Sequence, residues 1–311
     1  MSNNALPICL TRRTFVRMAG SALLPALVSG QDAKRLPVFF GLDFSPYKDG
    51  QSPERPAGPI PESQVRERLT TIAPHTTWIR TYGVSGGLEK TGAIAHELGL
   101  KAAIGVWLGR NKEANDAQLD AGIACARAGD ADMLVVGSET LLRGDLKTPQ
   151  LCEYLAAARK AVPKSVPVTT GDGYAQIAGN PELVENIDLL YYNDYPYWGG
   201  VAAGDAIAKL DEHYSDLVEQ AGEKQVWISE HGWPTAGETM GKAIASEENA
   251  GVYLEAFLKW SSAKGVKAFL FQSHDEKWKS AHEGERGAHW GVWASDGTCK
   301  PVYAKIIGAR P

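Results

Sequence analysis

Val226-Trp227-Ile228-Ser229-Glu230-His231-Gly232-Trp233-Pro234-Thr235 opens as an apolar run and stops at a carboxylate followed by Gly-Trp-Pro. The apolar residues read as a buried strand, and the breaker after them sets Glu230 at its C-terminal end. Outward from this stretch the same pattern repeats: apolar strands at 38–44, 78–82, 102–108, 133–137, 167–170, 189–193, 226–229 and 268–272. Helix-period segments lie between them at 62–73, 87–98, 113–128, 148–161, 180–185, 205–221 and 246–263. The strand starts recur about every 33 residues, against roughly 30 for one strand-helix repeat. Eight such units predict an α/β chain folded as one (β/α)8 TIM barrel over residues 36–311. Near-continuous apolar strands suit a sheet buried on both faces. A doubly wound nucleotide-binding sheet is disfavoured, because the first strand runs into Gly41-Leu42-Asp43-Phe44-Ser45-Pro46-Tyr47 and no Gly-rich phosphate turn follows it.

The chain has 311 residues, 44% hydrophobic and 22% charged, with a formal net charge of −5. Residues 1–30 hold Arg12, Arg13 and Arg17 and no acid, so the remainder carries −8. That acidity argues against a nucleic-acid partner and suits a neutral one. Nine Trp and eleven Tyr are many for this length, and several fall at strand ends, where flat rings suit sugars. The four cysteines show no metal-ligand spacing, so neither a metal nor a disulfide framework is expected, and no cofactor is implied. His282, Glu283 and His289 lack the His-Glu-x-x-His spacing of a zinc helix. Ser273-His274-Asp275 cannot act as a hydrolase triad, because adjacent residues in an extended segment point different ways.

Arg12 and Arg13, followed by the uncharged run 18–28, have the parts of an export signal, and the run is too short to span a bilayer. The paired arginines favour the twin-arginine route, with cleavage after Gly30 and a periplasmic or secreted product without a stable membrane span.

The fourth strand ends in Gly137-Ser138-Glu139, a second carboxylate at a strand's C-terminal end. Glu139 and Glu230 are 91 residues apart, three repeat units, so they belong to strands four and seven and can face each other across the barrel mouth. Two carboxylates about 5–5.5 Å apart are the machinery of a retaining glycosidase: one protonates the leaving oxygen and the other attacks the anomeric carbon.

Several ordered motifs point to one family. Val136-Gly137-Ser138-Glu139, Ser229-Glu230-His231-Gly232-Trp233-Pro234, Asp275-Glu276-Lys277-Trp278-Lys279 and His289-Trp290-Gly291 resemble glycoside hydrolase family 17, above all its bacterial and fungal branch. The resemblance runs from about Phe40 to Tyr303. It implies a (β/α)8 barrel, retention and a β-1,3-glucan oligosaccharide or polysaccharide as substrate. It also implies Glu139 as acid/base and Glu230 as nucleophile. Sugar contacts carried over by position are Tyr82, Ser138, Tyr195, Trp233, Asp275, Glu276 and Trp278, with Trp107 and Trp198 as further subsite candidates. Two positions depart from the family pattern. Ser138 stands where the family usually has an Asn that holds the sugar 2-hydroxyl, and Gly287 and Ala288 precede His289 where a Glu is common, with Glu285 nearby. Within this chemistry hydrolysis leads, transfer of the glycosyl group to a sugar acceptor is the alternative, and a non-catalytic glucan-binding barrel is the third reading.

Overall fold

The computed structural model describes residues 38–54 and 58–309. The export signal expected over 1–30 lies outside the described residues. Eight parallel strands close into a barrel in chain order: β1 Phe39–Asp43, β2 Thr76–Arg80, β3 Lys101–Val106, β4 Met133–Ser138, β5 Val168–Gly173, β6 Leu190–Asn193, β7 Val226–His231 and β8 Lys267–Leu270. Seven helices pack around it in the expected places: α1 Glu62–Ile72, α2 Thr91–Glu97, α3 Lys112–Ala128, α4 Thr148–Ala161, α6 Pro181–Glu185, α7 Ala206–Ala221 and α8 Glu247–Lys264. Short helices α5 Tyr174–Ala178, α9 Ser280–Glu283 and α10 Pro301–Ile307 add to them.

Local chemistry sets the helix ends. The side chain of Asn111 caps α3 by accepting from Ala114 N–H, and Gly129 ends it in the left-handed region at φ 86°. Ser246 and Gly265 do the same for α8. Helix α2 begins four residues later than the expected 87, because Gly86 and Gly87 adopt φ 70° and 97° and cannot join a right-handed helix in that state.

Side chains alternate between two apolar layers. Trp78, Ala103, Met133, Val135, Tyr191, Trp227 and Phe269 fill the lower barrel interior, while Ile79, Ile104, Leu134, Val136, Tyr192 and Ile228 face the helices. This inner plug leaves the C-terminal mouth as the place where polar residues can face inward. Irregular register at the ends of β4 and β7 then changes which residues do so. In β7 the register shifts between Ile228 and His231. Ser229 bonds Asn193 on the neighbouring β6 and Glu230 reaches Arg80 across the barrel, while His231 stacks on Phe257 of α8 with ring centroids 3.6 Å apart. In β4 the shift falls between Val135 and Ser138, at Gly137 with φ 87°. Bulges of this kind at barrel rims re-aim side chains.

Candidate active site

Arg80 is the centre around which the mouth is built. It is fully buried at the end of β2, a charged residue among apolar neighbours, and such a group needs partners. Its Nη1 lies 2.5 Å from Glu230 Oε1 and 3.4 Å from Asp43 Oδ1, and donates to the Ser229 carbonyl oxygen at 3.3 Å. Its Nη2 donates to Ser138 Oγ at 2.9 Å. The guanidinium also lies over the Tyr82 ring, 4.6 Å from its centroid. The planar fork suits this shared task, since one guanidinium can direct several N–H groups at once.

Glu230 has its second oxygen fixed as well, because Tyr195 OH donates to Oε2 at 2.8 Å. A carboxylate held at both oxygens cannot rotate away from its target. Arg80→Ala would leave Asp43 and Glu230 buried without the cation they share. We expect it to destabilise the fold by about 3–5 kcal/mol, read from the urea midpoint, whereas Arg80→Lys should retain part of that stability and lose the fork.

Glu139 follows β4 with φ 51°, a conformation uncommon for a residue with a Cβ and often found at functional sites. The surrounding chain holds it there. Glu139 N–H donates to the Gly171 carbonyl at 2.7 Å, and Asp172 accepts from Leu141 N–H at 2.8 Å and Leu142 N–H at 3.2 Å. Arg143 donates to the Ser138 carbonyl and, at 2.9 Å, to that of Leu108. The Glu139 carboxyl accepts from Asn193 Nδ2 at 2.8 Å. Burial first, and then the negative charge of Glu230, push its pKa up from 4.5 to about 7.

That shift has a consequence for stability. Above pH 4.5 the unfolded chain releases this proton, whereas the folded chain keeps it until about 7. The carboxyl therefore costs stability that grows through this window, up to about 3 kcal/mol above it. Glu139→Gln should be more stable than the parent at pH 8 by as much as that, with the advantage vanishing near pH 4. Urea unfolding at both pH values checks it, and a gap independent of pH would contradict the assignment.

The arrangement is one partly buried acid holding its proton near neutrality and one carboxylate clamped by a cation and a phenol, at the ends of strands β4 and β7 of one barrel. The chain matches the BtgE/BtgC glycoside hydrolase domain over residues 41–291. It belongs to glycoside hydrolase family 17. A glucan 1,3-beta-glucosidase of Arthroderma benhamiae is 30% identical over 265 residues, covering 78% of this chain and 85% of the relative. One from Schizosaccharomyces pombe is 31% identical over 238 residues, covering 67% and 70%. In structure, a Rhizomucor miehei β-1,3-glucanosyltransferase, an active-site mutant in complex with laminaritriose, aligns with TM-score 0.75 and 28% identity. The match covers 85% of this chain and 96% of that one.

The structure sorts the remaining sugar-contact candidates of this family 17 barrel. Tyr82 and Tyr195 are partly exposed beside Arg80 and Glu230. Ser138 is buried with its hydroxyl turned to Arg80, so it reaches the site through that cation. Glu276 is buried: Oε1 accepts from Ser45 Oγ at 2.5 Å and Trp278 Nε1 at 3.0 Å, and Oε2 pairs with Lys279 at 2.8 Å. It fixes the partly exposed Trp278. Trp107, 42% exposed, and Trp198, 37% exposed, stand at the rim, each with a guanidinium over its ring, from Arg143 and Arg286 respectively.

One candidate, Trp233, is corrected, and another, Asp275, is engaged within the protein. Trp233 is 1% exposed, lies edge-on to Tyr197 and donates to the Ile244 carbonyl at 2.9 Å. It packs in the core and has no face for a sugar. Asp275 accepts from Lys300 Nζ at 2.7 Å and Gly291 N–H at 2.8 Å. Its carboxylate ties the segment after β8 to the His-Trp-Gly segment.

Sequence reasoning missed Arg80, Asp43, Asn193, Lys279 and Glu283. A charge inside an apolar strand was the available signal for the first two. For the missing family Glu, Glu285 is exposed and only 3.7 Å from His289. Glu283 instead accepts from Trp290 Nε1 at 3.1 Å, and burial raises its pKa while the charge of Lys279 opposes the rise. A Cβ at Gly287 would stand 2.8 Å from Glu283 Cβ, so Glu283 crowds the space that a side chain from 287 would need.

Proposed function

We propose that this chain cleaves β-1,3-glucan with retention of configuration, through a glycosyl ester on Glu230. The observation that carries the reading is the division of labour between the paired carboxylates: Glu139 holds its proton up to about pH 7, and Glu230 is fixed by Arg80 and Tyr195. In the first step Glu139 gives its proton to the glycosidic oxygen while a Glu230 oxygen bonds to C1 and the C1–O electron pair leaves with the departing sugar. In the second, Glu139 takes a proton from the incoming hydroxyl, whose oxygen bonds to C1 and releases Glu230. The β-1,3-glucan substrate is supported by the relatives named above. Trp107 and Trp198 offer partly exposed indoles at the rim on which further sugar rings can stack.

Water and a sugar hydroxyl are both competent in the second step. The Rhizomucor neighbour favours transfer as a second outcome. Incubation with laminari-oligosaccharides, with products sized over time, separates the two: shorter products alone mean hydrolysis, and products longer than the substrate mean transfer. Cleavage of cellulosic oligosaccharides in preference to laminari-oligosaccharides would overturn the substrate.

We also propose export by the twin-arginine route. Its support is the Arg12-Arg13 leader. A route for folded proteins also suits a barrel whose Cys125, Cys152 and Cys299 are buried and unpaired. No helix among the described residues is long and apolar enough to cross a membrane. Replacing both arginines by lysine should retain the chain in the cytoplasm, and unchanged export would reject the route.

A further inference from the structure

Asn193 ends β6 and links the two carboxylate strands. Its Nδ2 donates to Glu139 Oε1 at 2.8 Å, and its Oδ1 accepts from Ser229 Oγ at 2.5 Å. It also sits opposite Glu230 in the β6–β7 register. Asn193 and Ser229 are buried, so little water is at hand to replace either bond, and the amide is held with its NH2 toward Glu139. Among the described residues the other Glu139 oxygen, Oε2, makes no hydrogen bond within the protein.

We propose that Asn193, oriented by Ser229, is a positioning residue that keeps Glu139 Oε1 as an acceptor and so confines the catalytic proton to Oε2. An amide NH2 aimed at Oε1 opposes protonation there, because a proton on that oxygen would meet a donor. The proton on Oε2 then faces the leaving oxygen when the C1–O bond breaks, and Oε2 receives the proton back from the incoming hydroxyl. The Asn193 bond persists through both steps, because Oε1 accepts whether the carboxyl is neutral or ionised. In this way Asn193 steadies the acid in a chain where Ser138 has turned to Arg80.

The inference rests on Glu139 being the acid, and leaving groups separate the two claims. The charges that face Glu139 are Glu230 on β7, Asp172 on β5 and Arg143 in the segment after β4. Asn193→Ala leaves all three in place and removes a hydrogen bond that holds the Glu139 pKa down. Its kcat/KM on laminari-oligosaccharides should fall roughly 10- to 100-fold, part of what a general acid contributes. Its kcat/KM on a 2,4-dinitrophenyl laminaribioside, whose leaving group needs no proton, should stay within about 3-fold of the parent. The alkaline limb of its pH profile should move upward. Ser229→Ala, a smaller change to the fold, should show the same pattern more weakly. Equal losses on both substrates, or an unmoved alkaline limb, would overturn the role of Asn193. Leaving-group dependence in Glu139→Ala but not in Asn193→Ala would reject this inference alone. Its absence in Glu139→Ala would reject the acid itself.

Discussion

Glu230→Ala is expected to lose on the order of 10^4-fold or more in kcat, as removal of a nucleophile does in other covalent enzymes, while the barrel still folds. The loss follows from geometry. Glu230 is the carboxylate that Arg80 and Tyr195 hold at both oxygens. Azide entering the vacated space should restore turnover by attacking C1 from the same face, with Glu139 still protonating the leaving group, and the product should be the α-glycosyl azide. Retained activity without azide, or a β-glycosyl azide, would remove Glu230 from the nucleophile's role.

Glu139→Ala should behave differently. The cost, about 10^2- to 10^4-fold, should fall on substrates with poor leaving groups and nearly vanish for dinitrophenyl glycosides in the first step. Azide should then intercept the glycosyl-enzyme and give the β-glycosyl azide, with net retention. With Glu139 as the proposed acid, turnover begins from its protonated form, so kcat/KM should fall as pH rises through about 7. Glu139→Ala should lack that limb. A limb that survives the substitution belongs to another group.

The barrel was legible because burial writes itself into sequence. Strands covered on both faces must be apolar throughout, and the interval from one strand to the next is fixed by the length of a strand, a helix and two turns. Thus β4, β6 and β7 begin within a residue of where the apolar runs begin. The positions of Glu139 and Glu230 were legible for the same reason, as charges that end such runs. What sequence could not carry is what happens when alternation breaks. Counting by twos from Val136 or Ile228 turns Ser138 and Glu230 toward the helices, and the irregular register at Gly137 and after Ile228 turns both inward. Gly137 hints at such a bulge without stating which residues it re-aims. Trp233 misled because a motif residue three positions after Glu230 still points into the core. Arg80, Asp43 and Asn193 escaped notice because their role exists only in the closed barrel, where β1, β2, β6 and β7 bring them together.

Asp43 extends the same point. It is fully buried, shares the guanidinium of Arg80 with Glu230, and has its pKa raised well above the usual carboxylate range by burial. Two buried carboxyl groups that share one guanidinium make the mouth sensitive to any change in that cation, which is why the Arg80 substitutions should weaken folding as well as turnover.

The central claim is that a sugar becomes covalently attached to Glu230, and trapping tests it most directly. A 2-deoxy-2-fluoro laminaribioside with a dinitrophenyl leaving group should inactivate the enzyme and add one fluoro-laminaribiosyl mass. Peptide mapping should then place that mass on the segment containing Ser229-Glu230-His231. A label on any other residue, or continued turnover of native substrate with no adduct, would contradict it.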